Sequence, residues 1–255
     1  MVHFTGAGPG AVDLISVRGK RQIEEADVIV YAGSLVNPGL LQYAKEGAEM
    51  HNSATMTLEE VIGVIRAAEE EGKTTVRLHT GDPSIYGAVR EQMDELDRLG
   101  IAYDSTPGIS ALFGAAASMN AEYTLPSVSQ SVIITRMAGR TPMPEGESIE
   151  SFAAHGATMA IYLSAGMTAE LSKRLMAGGY AGDTPAAIVY KATWPEEEIL
   201  PCTVETIAET AKKAGIEKTA LILVGEALTH THYERSKLYD PSFSTEYRAA
   251  KERAT

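Results

Sequence analysis

The chain has 255 residues, with 22 basic and 34 acidic side chains and a formal charge of −12 at pH 7, a balance that argues against nucleic-acid binding, which needs a basic face. Its apolar fraction is 44%, and no apolar run approaches the roughly 20 residues of a bilayer span. A globular protein is expected, with no nucleic-acid or membrane partner and enough chain for one large or two ordinary domains.

A small anionic ligand remains compatible with the charge, because a few Arg or Lys in a cleft outweigh a distant field where water is displaced. The single Cys202 excludes an internal disulfide framework and fits a reducing compartment. Met1 leads directly into a strand with no basic region, so no signal peptide is expected and the cytoplasm is the expected address.

The first element is a strand over residues 2 to 7. It runs into Gly6-Ala7-Gly8-Pro9-Gly10 and then Leu14-Ile15-Ser16, a strand, a glycine hinge and a helix start. Glycine lets the backbone turn sharply at the strand's carboxyl end, where open α/β sheets receive ligands. Gly6, Gly8 and Ala11 fit the permissive dinucleotide pattern G-x-G-x-x-G/A. Against that fit, Pro9 removes an N–H that would cradle a pyrophosphate, and the next strand, residues 27 to 31, ends in Ala32-Gly33 with no carboxylate for a ribose. A bare tight turn stays open at this point.

Apolar spacing of three and four predicts helices over Ser16–Glu25, Thr57–Glu71 and Tyr86–Leu99, with Thr57-x-x-Glu60 a capping box. Strands are expected at 74 to 79 and 101 to 104, and a short one ends near Met50-His51. Each of the two longer strands meets a glycine turn: Thr80-Gly81-Asp82-Pro83, then Pro107-Gly108-Ile109-Ser110-Ala111. Asp82 is an acceptor at a strand's end, suited to hydroxyls or a cation, or simply a helix cap. Three such turns on one parallel sheet should converge on its carboxyl edge.

A second unit begins near Ser129. Strands are expected at 131 to 135, 158 to 163, 186 to 190 and 220 to 224, with helices near 167 to 176 and 204 to 214. Ile199-Leu200 reads as part of an added antiparallel strand that makes the sheet mixed. The expected division is 1–120, 121–235 and a C-terminal arm at 236–255, docked or frayed.

Gly6-Ala7-Gly8-Pro9-Gly10, Gly81-Asp82-Pro83 with Tyr86-Gly87, and Pro107-Gly108-Ile109-Ser110-Ala111 together resemble the tetrapyrrole methylase superfamily. Further stretches, Tyr31–Val36, Ser129–Arg136 with Gly139–Pro142, and Ser236–Phe243, resemble its branch that methylates C-11 of precorrin-4 or cobalt-precorrin-4 in cobalamin synthesis. The resemblance covers essentially the whole chain. It implies two α/β domains with a ligand trough between them, a homodimer, a tetrapyrrole substrate, and S-adenosylmethionine as methyl donor with S-adenosylhomocysteine as product. By motif position it implies donor contacts at Pro9, Thr80, Gly81, Asp82, Ile85, Ser110 and Ala111, and in the second half at Leu163 and Ala192. Read without the resemblance, the last two are core residues.

Related uroporphyrinogen methylases carry an acidic residue after the tyrosine that ends the second strand. Here that position is Ala32, so the base does not carry over. Tyr31, Glu122 and Tyr123 are the polar groups left as candidate proton acceptors. A substrate rich in carboxylates calls for cationic contacts, for which Arg136, Arg140 and Lys191 are the candidates. None of the six histidines has metal-ligand spacing, so no metal site is expected; His79, beside the second turn, is expected to be a hydrogen-bonding scaffold. The competing readings are a sister methylase acting at another ring position, a nicotinamide-dependent oxidoreductase and a binding protein without turnover.

Overall fold

The structure, a computed structural model, describes residues 1–229 and 233–251. The chain forms two compact units: Met1–Ser118 with Lys191–Glu198, and Met119–Tyr190 with Ile199–Thr255. Among the described residues no helix is long and apolar enough to cross a membrane.

The first unit is built on five parallel strands, β1 (Val2–Gly6), β2 (Val28–Tyr31), β3 (Glu49–Asn52), β4 (Thr75–His79) and β5 (Tyr103–Thr106), in the order β3-β2-β4-β1-β5. Helices α1 (Val17–Glu25), α2 (Leu58–Glu70) and α3 (Arg90–Leu99) cover it, because alternate residues of each strand point to opposite faces. Phe4, Val28 and Val30 join Ile62, Ile65 and Leu96 in one core cluster, while Ile29, Val76 and Leu78 join Ile23 and Leu40 in another. The expected capping box is present, with Thr57 and Glu60 satisfying each other's backbone N–H.

Two boundaries differ from the sequence expectation. Helix α3 starts at Arg90 because Tyr86 and Ala88 hold left-handed backbone angles, φ 54° and 48°, which a right-handed helix cannot contain. Strand β5 starts at Tyr103 because Gly100, at φ 69°, and the Ile101 N–H close the end of α3 on the carbonyls of Asp97 and Leu96, the usual glycine termination.

Helix α4 (Ala111–Met119) follows the third glycine turn. The second unit holds β6 (Val132–Arg136), β7 (Thr158–Tyr162), β8 (Pro185–Tyr190), β9 (Glu198–Thr203) and β10 (Ala220–Val224) in the order β6-β7-β10-β8-β9, with α5 (Ile149–Ala153), α6 (Thr168–Ala177) and α7 (Ile207–Ala214). Strands β6 and β7 run parallel, and β10 runs antiparallel to both β7 and β8. The sheet is therefore mixed at β10, and Ile199-Leu200 lie in β9, an added edge strand beside β8. Within the arm expected at 236–255, Arg248 donates to the carbonyls of Leu238 and Asp240 at 2.9 and 2.7 Å; its last four residues lie outside the described ones.

Candidate active site

The three glycine turns of the first unit meet, and they do so backbone to backbone. Ala7 N–H donates to the His79 carbonyl at 2.7 Å and Gly81 N–H to the Gly8 carbonyl at 2.9 Å. A Cβ on Gly6 would stand 2.4 Å from Gly108 N and 2.7 Å from Gly81 O; one on Gly108 would stand 2.1 Å from Gly81 O. No side chain fits at either position, so glycine is required by the mutual contact of the turns themselves. Ser110 and Ala111 follow at the same place, their Cα and N lying 3.5 and 3.7 Å from where a Gly81 Cβ would be.

Asp82 ties the second turn to the third. One carboxylate oxygen accepts from Ser84 N–H at 2.9 Å and from the Ser84 hydroxyl, and the other accepts from Gly108 N–H at 2.9 Å. Burial alone would raise its pKa, but the hydrogen bonds from Ser84 and Gly108 hold it below the usual value, so the carboxylate is charged at neutral pH. Ile85 closes the same loop with its N–H on the Asp82 carbonyl at 3.2 Å.

Sequence reasoning missed a further group of residues that holds the first turn. The segment Lys191–Glu198 belongs to the first unit, and Thr193 Oγ1 accepts from Ala11 N–H at 2.9 Å while Trp194 Nε1 donates to the Pro9 carbonyl at 3.1 Å. Glu197 accepts from Ser118 Oγ at 2.6 Å and from Thr193 N–H at 2.5 Å. Asn37 Nδ2 donates to the Gly10 carbonyl at 2.8 Å. The left-handed backbone of Lys191 and Thr193, φ 44° and 67°, is strained for such side chains. A threonine, a tryptophan and a glutamate some 180 residues from the turn carry no local pattern that announces this role.

Ala192 is buried, and its carbonyl is 2.8 Å from where a Gly10 Cβ would lie. The Lys191 ammonium stands 5.3 Å from the Trp194 ring centre and 3.6 Å from a Glu196 oxygen. His79 is buried, its pKa lowered to about 3 by burial and by the Arg77 charge, so it is neutral. Tyr31 closes β2, and its carbonyl accepts from the Ser53 hydroxyl.

In the second unit Leu163 follows β7 with φ 53° and 63% of its surface exposed. A leucine that is both exposed and in left-handed backbone is not a core residue. Next to it, the buried Ser164 accepts from Met137 N–H at 2.9 Å, which sets the end of β6 beside the end of β7. The Arg136 guanidinium donates to the carbonyls of Met137, Thr141 and Pro142 at 3.0, 3.3 and 3.0 Å and so braces the loop that carries the exposed Arg140. Glu122 is exposed and Tyr123 buried. Burial, with Tyr162 adding to it, pushes the Tyr123 phenol above its ordinary pKa, which favours a hydrogen-bond donor over a base.

The chemistry of the three turns limits what they can hold. Gly6–Gly10, Thr80–Gly87 and Pro107–Ala111 contain no Lys or Arg and one carboxylate, and the buried Thr80 hydroxyl has no partner among the described residues. A pyrophosphate would find no cation in these turns, and Pro9 offers it no N–H. A nucleoside without phosphates that carries a positive centre is compatible with a hydroxyl, backbone carbonyls and a nearby carboxylate.

A parallel sheet that gathers three such turns at its carboxyl edge defines an α/β protein of the class that receives ligands at that edge. The model of the Tetrapyrrole (Corrin/Porphyrin) Methylases matches residues 1–208, and the chain belongs to that family. It is 56% identical to a cobalt-precorrin-4 C(11)-methyltransferase of Methanocaldococcus jannaschii over 97% of this chain and 95% of that one. With a precorrin-4 C(11)-methyltransferase of a Sinorhizobium species it shares 43% identity over 97% and 98%. The crystal structure of a cobalt precorrin-4 methyltransferase, described as a cobalamin biosynthetic enzyme, superposes with a TM-score of 0.87 at 45% identity, covering 89% of this chain and 95% of that chain.

Proposed function

We propose that this protein transfers a methyl group from S-adenosylmethionine to C-11 of precorrin-4 or its cobalt form in cobalamin biosynthesis. The observation that carries the reading is the convergence of three cation-free glycine turns, braced by Asp82, in a chain that matches two C(11)-methyltransferases along nearly its whole length. The bound donor supplies an electrophilic methyl on a sulfonium. This chain's part is to fix that methyl in line with the acceptor carbon, and positioning of this kind supplies much of the barrier reduction in a displacement.

Pro9, Thr80, Gly81, Asp82, Ile85, Ser110, Ala111 and Ala192 hold the donor, and Leu163 is a further donor contact that the family resemblance implies. Asp82 contributes through charge as well, since a carboxylate favours a sulfonium cation. The pyrrole-derived carbons of a reduced tetrapyrrole are enamine-like, so a strong base is not required; the exposed Glu122 and Tyr31 remain as acceptors for the released proton. Arg140 and Lys191 are the cations for substrate carboxylates, and Arg136 acts by bracing the Arg140 loop. The working form is a homodimer of the cytoplasm. The family resemblance supports the dimer, and the single Cys202, its thiol pushed up to about 11 by burial, suits a reducing compartment.

The test is to incubate the protein with S-adenosylmethionine and enzymatically generated precorrin-4, with and without cobalt, and to locate the new methyl by mass spectrometry and NMR. One methyl at C-11 is the expected product, and the better substrate of the two assigns the metal state. Methylation at another carbon would make the chain a sister methylase. Donor binding without transfer would make it a binding protein.

A further inference from the structure

Arg77 sits in the middle of β4, 6% exposed, with no carboxylate among its hydrogen-bond partners. Its Nε donates to Gln92 Oε1 at 2.9 Å and its Nη1 to the Val30 carbonyl at 3.2 Å. An aliphatic side chain would fill this position in the core without desolvating a cation, so the guanidinium must serve something beyond packing.

The consequence lies in Gln92, on the first turn of α3 and itself buried. A guanidinium only donates, so the amide oxygen of Gln92 is held toward Arg77 and its NH2 is held away. That NH2 donates to the Ala88 carbonyl at 2.8 Å. Ala88 and Tyr86 are the two left-handed residues of the loop, and Gly87 between them lies so close to Pro83 that a Cβ would stand 2.1 Å from the Pro83 carbonyl oxygen. Pro83 follows Asp82, whose carboxylate holds Gly108.

We propose that Arg77 and Gln92 are positioning residues for the donor site: the cation fixes the amide, the amide pins Ala88, and the pinned loop backs the Thr80–Ile85 turn from beneath. The inference rests on the reading of that turn as the place where the methyl donor binds. Neither residue touches the ligand in this account, and neither carries a sequence pattern that would mark it.

The test is calorimetric titration of the full chain with S-adenosylhomocysteine. Gln92→Glu keeps an oxygen for Arg77 and puts a second one where Ala88 needs a donor. It should fold and weaken binding five- to tenfold, and the KM for the donor should rise while the KM for the tetrapyrrole stays unchanged. Arg77→Met frees the amide to turn over and should weaken binding similarly, with Arg77→Lys recovering most of the loss. Wild-type binding together with unchanged affinity in a folded Gln92→Glu protein would overturn the positioning role alone. Failure of the wild type to bind would overturn the donor-site reading and this proposal with it.

Discussion

At the scale of single residues, the site depends on atoms that are missing as much as on those present. Gly108→Ala would drive a Cβ to 2.1 Å from the Gly81 carbonyl and 2.7 Å from the Gly6 Cα, all backbone that cannot rotate away. The expected cost is about 3 kcal/mol of stability, read by urea denaturation, together with a loss of S-adenosylhomocysteine binding. Gly63→Ala is the matched control, since nothing lies within 4 Å of a Cβ there and alanine in the middle of α2 should add about 0.5–1 kcal/mol. His79 gives a second prediction. Its folded pKa, about 3, lies below the ordinary value of 6.5, so the unfolded chain takes up a proton first as pH falls. Its contribution to stability is complete above about pH 6.5 and is lost toward pH 3, which amounts to about 3 kcal/mol between pH 7 and pH 4. His79→Leu should remove that part of the pH dependence in denaturation curves, and an unchanged slope would mean the imidazole titrates normally.

At the scale of elements, strands and helices followed from periodicity and caps wherever the controlling interaction was local. The Thr57 and Glu60 box, Ser16 as the cap of α1 through its hydroxyl on Gly19 N–H and the glycine end of α3 involve neighbours within a few residues. The start of α3 did not follow, because the left-handed Tyr86 and Ala88 depend on the loop packing against Pro83. The loop Lys191–Glu198 is the larger case. It holds the first glycine turn through Thr193 and Trp194, and Trp194→Phe, which removes one hydrogen bond and keeps the ring, should cost about 1 kcal/mol. The loss should appear as weaker S-adenosylhomocysteine binding and faster exchange of the Ala11 amide. No change in either would show that the loop and the turn are held independently.

At the scale of the whole molecule, the two units are not two halves of the chain. The first unit is completed by eight residues, 191–198, that arrive after β8. A fragment of residues 1–120 would contain all three glycine turns and lack Thr193, Trp194 and Glu197. Limited proteolysis should cut that fragment between residues 7 and 12 at a concentration of protease that leaves the full chain intact there. Equal resistance would remove the segment from the support of the site.

The sequence by itself determined the alternation of strands and helices, the three glycine turns and the family, because each is written in neighbouring residues: backbone freedom at glycine, a period of three and four, a capping pair. Set beside the uroporphyrinogen methylases it resembles, it also has Ala32 where they carry an acidic residue. Only the tertiary structure decided that the turns touch at backbone distance, that Asp82 spends its carboxylate on Gly108 and Ser84, and that the guanidinium of Arg136 is turned to its own loop. It alone placed Leu163 in exposed left-handed backbone and carried Trp194 to Pro9. The contacts of the turns with one another, of Asp82 with Gly108 and of Trp194 with Pro9 join residues 26 to 185 positions apart and are fixed by parallel strand register and core packing. The bonds of Asp82 to Ser84 and of Arg136 to its loop span at most six positions, but which partner each side chain takes is set by the folded loop.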